Sequence, residues 1–187
     1  YKMYVDAGVK IEPKIALLMC SAIISDTLIF RSPTCTEMDR EAGKALAEIA
    51  GINIKEHAHE MFFAGSNISE KTAKELFTGD FKRFSIGDTT FGIGQVSCMD
   101  GEELDQVKKK VMTYMKEQYK SLGVNMLYFM LTDIIKPGTE LLCVGDGAME
   151  LVERAFGVQG SDDVVYLPGV VSRKKQVVPE IMMEITQ

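Results

Sequence analysis

The sequence lacks the excess of positive charge that proteins use to attract large polyanions. Its 187 residues include 21 lysines and arginines against 27 aspartates and glutamates, which gives a net charge of −6 at pH 7. A chain of this charge has no long-range attraction for nucleic acid or for an anionic membrane surface. We therefore expect no nucleic-acid partner and no membrane partner, and any anion must be captured by a local cluster of cations.

Long apolar runs and paired cysteines are also missing. The most apolar stretch, residues 15–30, is shorter than the ~20 residues that span a bilayer, and it contains Ser21, Ser25 and Asp26. The four cysteines form no Cys-x-x-Cys pair, and three of them lie in apolar surroundings typical of buried thiols. No signal-peptide pattern is present at the N-terminus. We therefore expect a cytoplasmic protein, and the first residue, Tyr1, indicates a piece of a longer chain.

What the sequence does contain is ordinary globular composition with a change of pattern near residues 65–67. Apolar residues make up 46% and charged residues 26% of the chain, which permits one large domain or two small ones. Before the change, apolar spacing predicts three helices, at residues 14–30, 37–50 and 53–63. The candidate caps are Thr34 or Thr36 for the second helix and Asn53 for the third.

After the change, predicted strands alternate with predicted helices. The strands are residues 81–86, 90–99, 126–135, 141–144 and 164–167, and the helices are residues 70–77, 102–122 and 148–156. The long helix between the second and third strands predicts that these two strands are parallel. The fold class is therefore α/β, with a helical N-terminal segment followed by a mixed β-sheet flanked by helices. Gly92 and Gly94 lie inside a predicted strand, where close backbone packing explains them better than a nucleotide-binding loop.

The most informative local feature is the run Ser-Arg-Lys-Lys-Gln at residues 172–176, which we call the cationic turn. A proline and a glycine shortly before it favour a tight turn, and a helix that begins near Ser172 would add a hydroxyl cap and backbone N–H donors. Arg173 can engage two phosphate oxygens in a planar fork, whereas Lys174 is a compact point charge. The cationic turn therefore predicts a site for a small phosphate-bearing ligand, with a solvated basic turn as the alternative.

Asp26 is the second candidate residue. On a helix, its neighbours three and four positions away include Ile23 and Phe30, so the spacing predicts a carboxylate among apolar side chains. A buried carboxylate requires protonation, a cationic partner or a metal ion, because an unpaired charge is costly away from water. The alternative is that Asp26 lies at an exposed, partly polar helix edge or pairs with Arg31.

Two separated motifs resemble the manganese-dependent (family II) inorganic pyrophosphatases. The first is Ser-Ala-Ile-Ile-Ser-Asp-Thr-Leu at residues 21–28, followed by Ser-Pro-Thr-Cys-Thr at residues 32–36. The second is Ser-Arg-Lys-Lys-Gln-Val-Val-Pro at residues 172–179, and the segments Asp-Phe-Lys-Arg-Phe at residues 80–84 and Gly-Gln-Val at residues 94–96 also resemble the family. The resemblance covers essentially the whole chain.

This resemblance implies a division into two domains. Residues 1–64 would be the helical C-terminal part of a DHH catalytic domain, residues 65–68 a hinge or linker, and residues 69–187 a DHHA2 substrate-binding domain. The implied activity of the parent protein is hydrolysis of pyrophosphate to two phosphates. The parent would be a homodimer that pairs through the catalytic domain, and this chain alone would be a monomer or a weak dimer.

The resemblance also implies the residues of a site. Asp26 would be a carboxylate ligand of a paired Mn²⁺ centre in the parent protein, since hard divalent ions suit oxygen ligands. Lys82, Arg173 and Lys174 would bind pyrophosphate, with Mg²⁺ accompanying the substrate. No catalytic residue is implied beyond these metal and substrate ligands.

Two motifs of the family are missing from this sequence. They are His-x-x-x-Asp-x-Asp and Asp-His-His, which supply most of the metal ligands in the family. His57 and His59 do not replace them, because residues i and i+2 of a helix point to different sides, and we expect structural surface histidines. The isolated chain is therefore expected to bind no metal and to be inactive. Two other functions stay open: a DHH-type phosphoesterase acting on polyphosphate or nucleotides, and a non-catalytic anion-binding regulatory module.

Overall fold

The computed structural model describes residues 1–65, 68, 70–99 and 101–186, apart from the side chain of residue 102. The chain divides into two compact units, residues 1–65 and 66–187. The predicted hinge at residues 65–68 includes residues 66 and 67, which lie outside the described residues.

The first unit is built from short helices joined by capped turns. Its helices are α1 (Lys2–Asp6), α2 (Pro13–Asp26), α3 (Glu37–Ala50) and α4 (Ile54–Gly65). Thr36 caps α3, because its hydroxyl accepts the Asp39 N–H while the Asp39 carboxylate accepts the Thr36 N–H. Asn53 caps α4, and its side-chain oxygen accepts the N–H groups of Lys55 and Glu56. Both predicted caps are confirmed, with Thr36 rather than Thr34 at the start of α3.

The predicted extension of α2 to residue 30 is wrong, because the helix ends at Asp26. Residues 28–30 all have positive φ angles, at 48°, 56° and 63°, a left-handed conformation that non-glycine residues adopt at a cost. Tertiary contacts hold this turn. The Arg40 guanidinium donates to the Phe30 carbonyl at 2.9 Å, and the Phe30 ring occupies the space that a side chain at Gly43 would fill.

The second unit is a five-stranded mixed sheet with helices on both faces. Its helices are α5 (Ala73–Gly79), α6 (Gly101–Gln118), α7 (Ala148–Phe156) and α8 (Val178–Ile185), and its strands are β1 (Phe81–Ile86), β2 (Thr89–Cys98), β3 (Met126–Asp133), β4 (Gly138–Val144) and β5 (Val164–Pro168). A 3₁₀ turn (Tyr119–Leu122) follows α6, and a π-helical turn (Arg173–Val177) precedes α8. The strand order is β1-β2-β3-β4-β5, with β2 and β3 parallel and the other neighbours antiparallel. The α/β class and the parallel pair are therefore confirmed.

The central strand β3 is buried on both faces. Its even-numbered residues from Met126 to Met130 belong to the core that also contains residues of α7 and α8. Its odd-numbered residues from Leu127 to Leu131 belong to the core that contains residues of α5 and α6. This position explains why the sequence of β3 is continuously apolar rather than alternating.

The two glycines of β2 allow aromatic rings to pack directly on the backbone. A Cβ atom added to Gly94 would lie 2.5 Å from Cδ2 of Phe129 and 3.3 Å from the carbonyl oxygen of Phe77. A Cβ atom added to Gly92 would collide with the Phe81 ring. Close packing, and not a nucleotide-binding loop, is the confirmed role of both residues.

We predict that Gly94→Ala lowers the free energy of unfolding of the second unit by about 2 kcal/mol, because the methyl group overpacks against Phe129. Urea unfolding followed by circular dichroism measures this change. Gly79→Ala is the control, since a Cβ there meets no atom within 4 Å, and its effect stays within about 1 kcal/mol of zero. An unchanged urea midpoint for Gly94→Ala would contradict the packing argument.

Candidate anion-binding site

The chain leaves β5 at one edge of the sheet and crosses the end of the sheet toward β1 at the opposite edge. We call residues 169–172 the crossing segment. Thr139 of β4 donates its hydroxyl to one carbonyl of the segment at 2.6 Å, and Gln95 of β2 donates its carboxamide to the next carbonyl at 3.3 Å. Arg173, directly after the segment, reaches Asp80 at the start of β1. Each of these three side chains thus provides a hydrogen-bond donor for a backbone carbonyl along the path.

Gln176 closes the cationic turn onto the crossing segment. Its side-chain oxygen accepts the N–H groups of Val171 and Ser172, each at 3.0 Å, and its Nε2 donates to the first carbonyl of the segment at 3.0 Å. The Ser172 hydroxyl accepts the N–H of Lys175 at 3.3 Å, which confirms the predicted hydroxyl cap. The cap opens a π-helical turn that leads into α8.

Arg173 lies inside the protein rather than in solvent. Its residue is 7% exposed. Its Nη1 donates to the carbonyls of Asp80 at 2.6 Å and Ile93 at 3.1 Å, and its Nη2 donates to the Asp80 carboxylate at 2.7 Å. The guanidinium therefore ties the cationic turn to the first two strands. A guanidinium has five N–H donors, and these three hydrogen bonds leave two of them without a partner among the described residues.

The structure brings Lys82 to the same part of the second unit. Lys82 is the register partner of Ile93 in the β1–β2 ladder, and the Ile93 carbonyl accepts a hydrogen bond from Arg173. Side chains alternate along a strand, so Lys82 shares a face with Phe84, which packs on the core that contains Val177. Lys82 and Lys174 are both exposed. The guanidinium of Arg173 therefore lies beside the strand that carries Lys82, and Lys174 follows Arg173 directly in the chain.

Asp26 is exposed at the C-terminal end of α2, so the prediction that it lies among apolar side chains is wrong. The buried face of α2 consists of Ala16, Cys20 and Ile24. Asp26 lies two residues beyond Ile24, which places it about 200° around the helix from that face. The alternative of an exposed helix edge is the correct one. Asp26 belongs to the first unit, whereas the three cations belong to the second.

The two histidines point to different sides of α4, as predicted. The His57 Nε2 lies 2.7 Å from the Ser21 hydroxyl, which links α4 to α2. His57 is half-buried, so its prediction as a surface residue is wrong. His59 is exposed and stacks on Phe63, with ring centroids 6.3 Å apart. Across the described residues, no group of three or more His, Cys, Asp or Glu side chains is arranged to hold a metal ion.

A groove of about 730 Å³ lies elsewhere on the second unit, beside α6 and the loop before β5. Its charged lining consists of two lysines and two carboxylates. One of the lysines, Lys108, forms ion pairs with Asp105 at 3.1 Å and Glu140 at 2.7 Å. Burial alone would lower the pKa of Lys108, and its hydrogen bonds with Glu140 and Asp105 raise that pKa above its ordinary value. Because these charges balance, the groove is a weaker candidate for an anion than the cationic turn.

Sequence reasoning missed the residues that hold the cationic turn. The sequence indicated Asp80 and Gln95 only as members of the segments at residues 80–84 and 94–96, and it predicted no role for either residue. Thr139 carried no signal in the sequence. It lies 31 residues from the carbonyl that it contacts, a separation that no local pattern reports. In the described part of the chain, no helix has the length and apolar character needed to cross a bilayer.

We predict that Gln176→Leu destabilises the crossing segment by about 2 kcal/mol, because two buried or half-buried N–H groups lose their acceptor. Hydrogen exchange of the Val171 and Ser172 amides should become faster. Lys175→Ala is the control, since its exposed side chain leaves the Gln176 hydrogen bonds intact. Equal exchange rates in Gln176→Leu and the unmodified chain would contradict this role of Gln176.

Comparison with known proteins places this arrangement in a family. The model of the DHHA2 domain matches residues 59–183. A Clostridium acetobutylicum protein named probable manganese-dependent inorganic pyrophosphatase is 45% identical over 183 residues, which cover 98% of this chain and 59% of that protein. The Clostridium perfringens cobalt-dependent inorganic pyrophosphatase is 43% identical over 185 residues, which cover 99% of this chain and 34% of that protein.

A solved structure shows the same fold at similar identity. It is the crystal structure of a Methanococcus jannaschii protein described as a family II inorganic pyrophosphatase, with a TM-score of 0.82 and 41% identity. The match covers 95% of this chain and 58% of that chain. The present chain thus spans about three fifths of the length of several relatives that it matches.

Proposed function

The chain belongs to the DHHA2 domain family, and we propose that it is the substrate-binding part of a metal-dependent inorganic pyrophosphatase. The parent enzyme would hydrolyse pyrophosphate to two phosphates. The observation that carries the proposal is that Arg173 donates to the carbonyl of Ile93, the register partner of Lys82, which brings the cationic turn beside the strand that carries Lys82. The names of the relatives support the same substrate, since they are inorganic pyrophosphatases dependent on manganese or cobalt.

The proposed domain arrangement follows the two compact units. Residues 1–64 would be the end of the catalytic domain, residues 65–68 the linker, and residues 69–187 the substrate-binding domain. The parent would be a cytoplasmic homodimer that pairs through its catalytic domain, and sedimentation of the whole protein measures that state.

The three cations would play different parts in binding a compact, highly charged anion. Lys82 and Lys174 are exposed and can reach phosphate oxygens from solvent. Arg173 is held by three hydrogen bonds and would offer its remaining donors to the substrate. A net charge of −6 attracts no anion from a distance, so the affinity must come from these short-range contacts.

Mn²⁺ is the proposed metal of the parent enzyme, with Mg²⁺ accompanying the substrate. Asp26 would contribute one carboxylate to the metal centre, a ligand type that suits these ions. One exposed carboxylate does not make a metal site, and the described residues contain no group of three metal-binding side chains. We therefore propose that the remaining metal ligands come from other parts of the parent enzyme and that the isolated chain is inactive.

We predict that the isolated chain releases no phosphate from pyrophosphate with Mn²⁺ or Mg²⁺, whereas the whole protein does. A colorimetric assay of phosphate measures both. Appreciable turnover by the isolated chain would contradict its proposed inactivity. Equal rates of the whole protein on pyrophosphate, tripolyphosphate and small nucleotides would favour the alternative, a broader DHH-type phosphoesterase.

We predict that Lys174→Ala weakens binding of magnesium pyrophosphate to the chain about tenfold, because a charge-assisted hydrogen bond is lost. Lys82→Ala should act in the same direction. Titration calorimetry measures the dissociation constants. Lys109→Ala, an exposed lysine of α6 beside the other groove, is the matched control and should leave the affinity unchanged. Unchanged binding in Lys174→Ala would remove the cationic turn from the site.

A further inference from the structure

Arg173 carries a charge that the fold places almost entirely out of solvent. Its side chain is 8% exposed, whereas the side chain of its ion-pair partner, Asp80, is 52% exposed. Two of the three acceptors around the guanidinium belong to Asp80, namely its carbonyl and its carboxylate, and the third is the Ile93 carbonyl. A buried cation requires such partners because the loss of its hydration is costly. Asp80 therefore supplies most of the hydrogen-bond acceptors that stabilise the buried guanidinium of Arg173.

Asp80 is itself held by the sheet. It lies between α5 and β1, and its carbonyl oxygen also accepts the N–H of Gln95 at 3.2 Å. Its carboxylate thus projects from a fixed backbone position two residues before Lys82. Through Arg173, the same residue is joined to the turn that carries Lys174. Asp80 therefore links β1, which carries the exposed Lys82, to the cationic turn, which carries the exposed Lys174.

Resting on the proposed function, we propose that Asp80 is the positioning residue of the pyrophosphate site. It acts through Arg173 and not on the substrate. It fixes the orientation of the guanidinium and the spacing between the β1 lysine and the cationic turn. A half-exposed carboxylate beside an anion site repels the anion. If Asp80 serves binding, the gain from positioning Arg173 must therefore exceed this repulsion.

Positioning and repulsion predict opposite outcomes for one substitution. Asp80→Asn keeps the shape of the side chain and one hydrogen-bond acceptor but removes the charge. If the carboxylate only repels the anion, the variant binds magnesium pyrophosphate more tightly than the unmodified chain. If the carboxylate positions Arg173, the variant binds about tenfold more weakly, since a charge-assisted hydrogen bond to a buried guanidinium is lost.

Titration calorimetry of the complete chain with magnesium pyrophosphate decides between these outcomes. Asp88→Asn is the matched control, because it removes the same charge from the turn at the other end of β1, and it should change the affinity less than about twofold. Asp80→Glu restores the charge and should recover part of the affinity. Unchanged or tighter binding by Asp80→Asn overturns the proposal.

A double-mutant cycle tests whether Asp80 acts through Arg173. In an Arg173→Met background, the further change Asp80→Asn should alter the affinity less than about twofold, because the residue that it positions is gone. A general loosening of the fold would instead add the same loss in both backgrounds. An Asp80→Asn effect of equal size with and without Arg173 overturns the proposal.

A measurement without ligand keeps this test separate from the proposed function. Hydrogen exchange of the Arg173 guanidinium, followed by NMR, should be faster in Asp80→Asn than in the unmodified chain and in Asp88→Asn. If the unmodified chain binds no pyrophosphate, the proposed function fails, and the guanidinium signals still decide whether Asp80 holds Arg173. Unchanged exchange in Asp80→Asn overturns the role of Asp80. If Arg173→Met does not fold, the exchange measurement still tests the proposal without the double-mutant cycle.

Discussion

The path of the chain across the end of the sheet is the constraint on which the site depends. β5 and β1 are opposite edges of the sheet, and the chain must bring cations from one edge to the other without leaving buried backbone groups unpaired. Thr139, Gln95 and Gln176 supply the hydrogen bonds along this path. The ion pair between Arg173 and Asp80 ends it. If these hydrogen bonds were absent, the cationic turn would have no defined position relative to Lys82.

The cationic turn separates the roles of arginine and lysine. The planar guanidinium of Arg173 bonds several acceptors at once and suits an interior position, whereas an ammonium group is strongly hydrated and stays at the surface. Arg173 is accordingly buried, while Lys174 and Lys175 are exposed. The groove beside α6 shows the contrary case, because its Lys108 is paired with two carboxylates. Net charge at each place, and not the number of lysines, distinguishes the two surfaces.

Local patterns predicted most of the elements correctly. The caps Thr36 and Asn53 were readable because a cap bonds N–H groups only two or three residues away. The burial of β3 was readable from its continuous apolar run. The end of α2 could not be predicted from local patterns, because the left-handed turn at residues 28–30 depends on Arg40 and on the space at Gly43. Apolar periodicity continues through that turn even though the helix does not.

By itself the sequence determined the fold class and the parallel strand pair, and it supplied the cations of the proposed site, since these follow from short-range periodicity, composition and contiguous motifs. The tertiary structure alone decided two further matters. It placed Asp26 on the exposed side of α2, because the apolar residues around it in sequence belong to different faces of the helix and the turn. It also paired Arg173 with a carboxylate 93 residues away, a contact that exists only when the folded sheet brings β1 beneath the cationic turn.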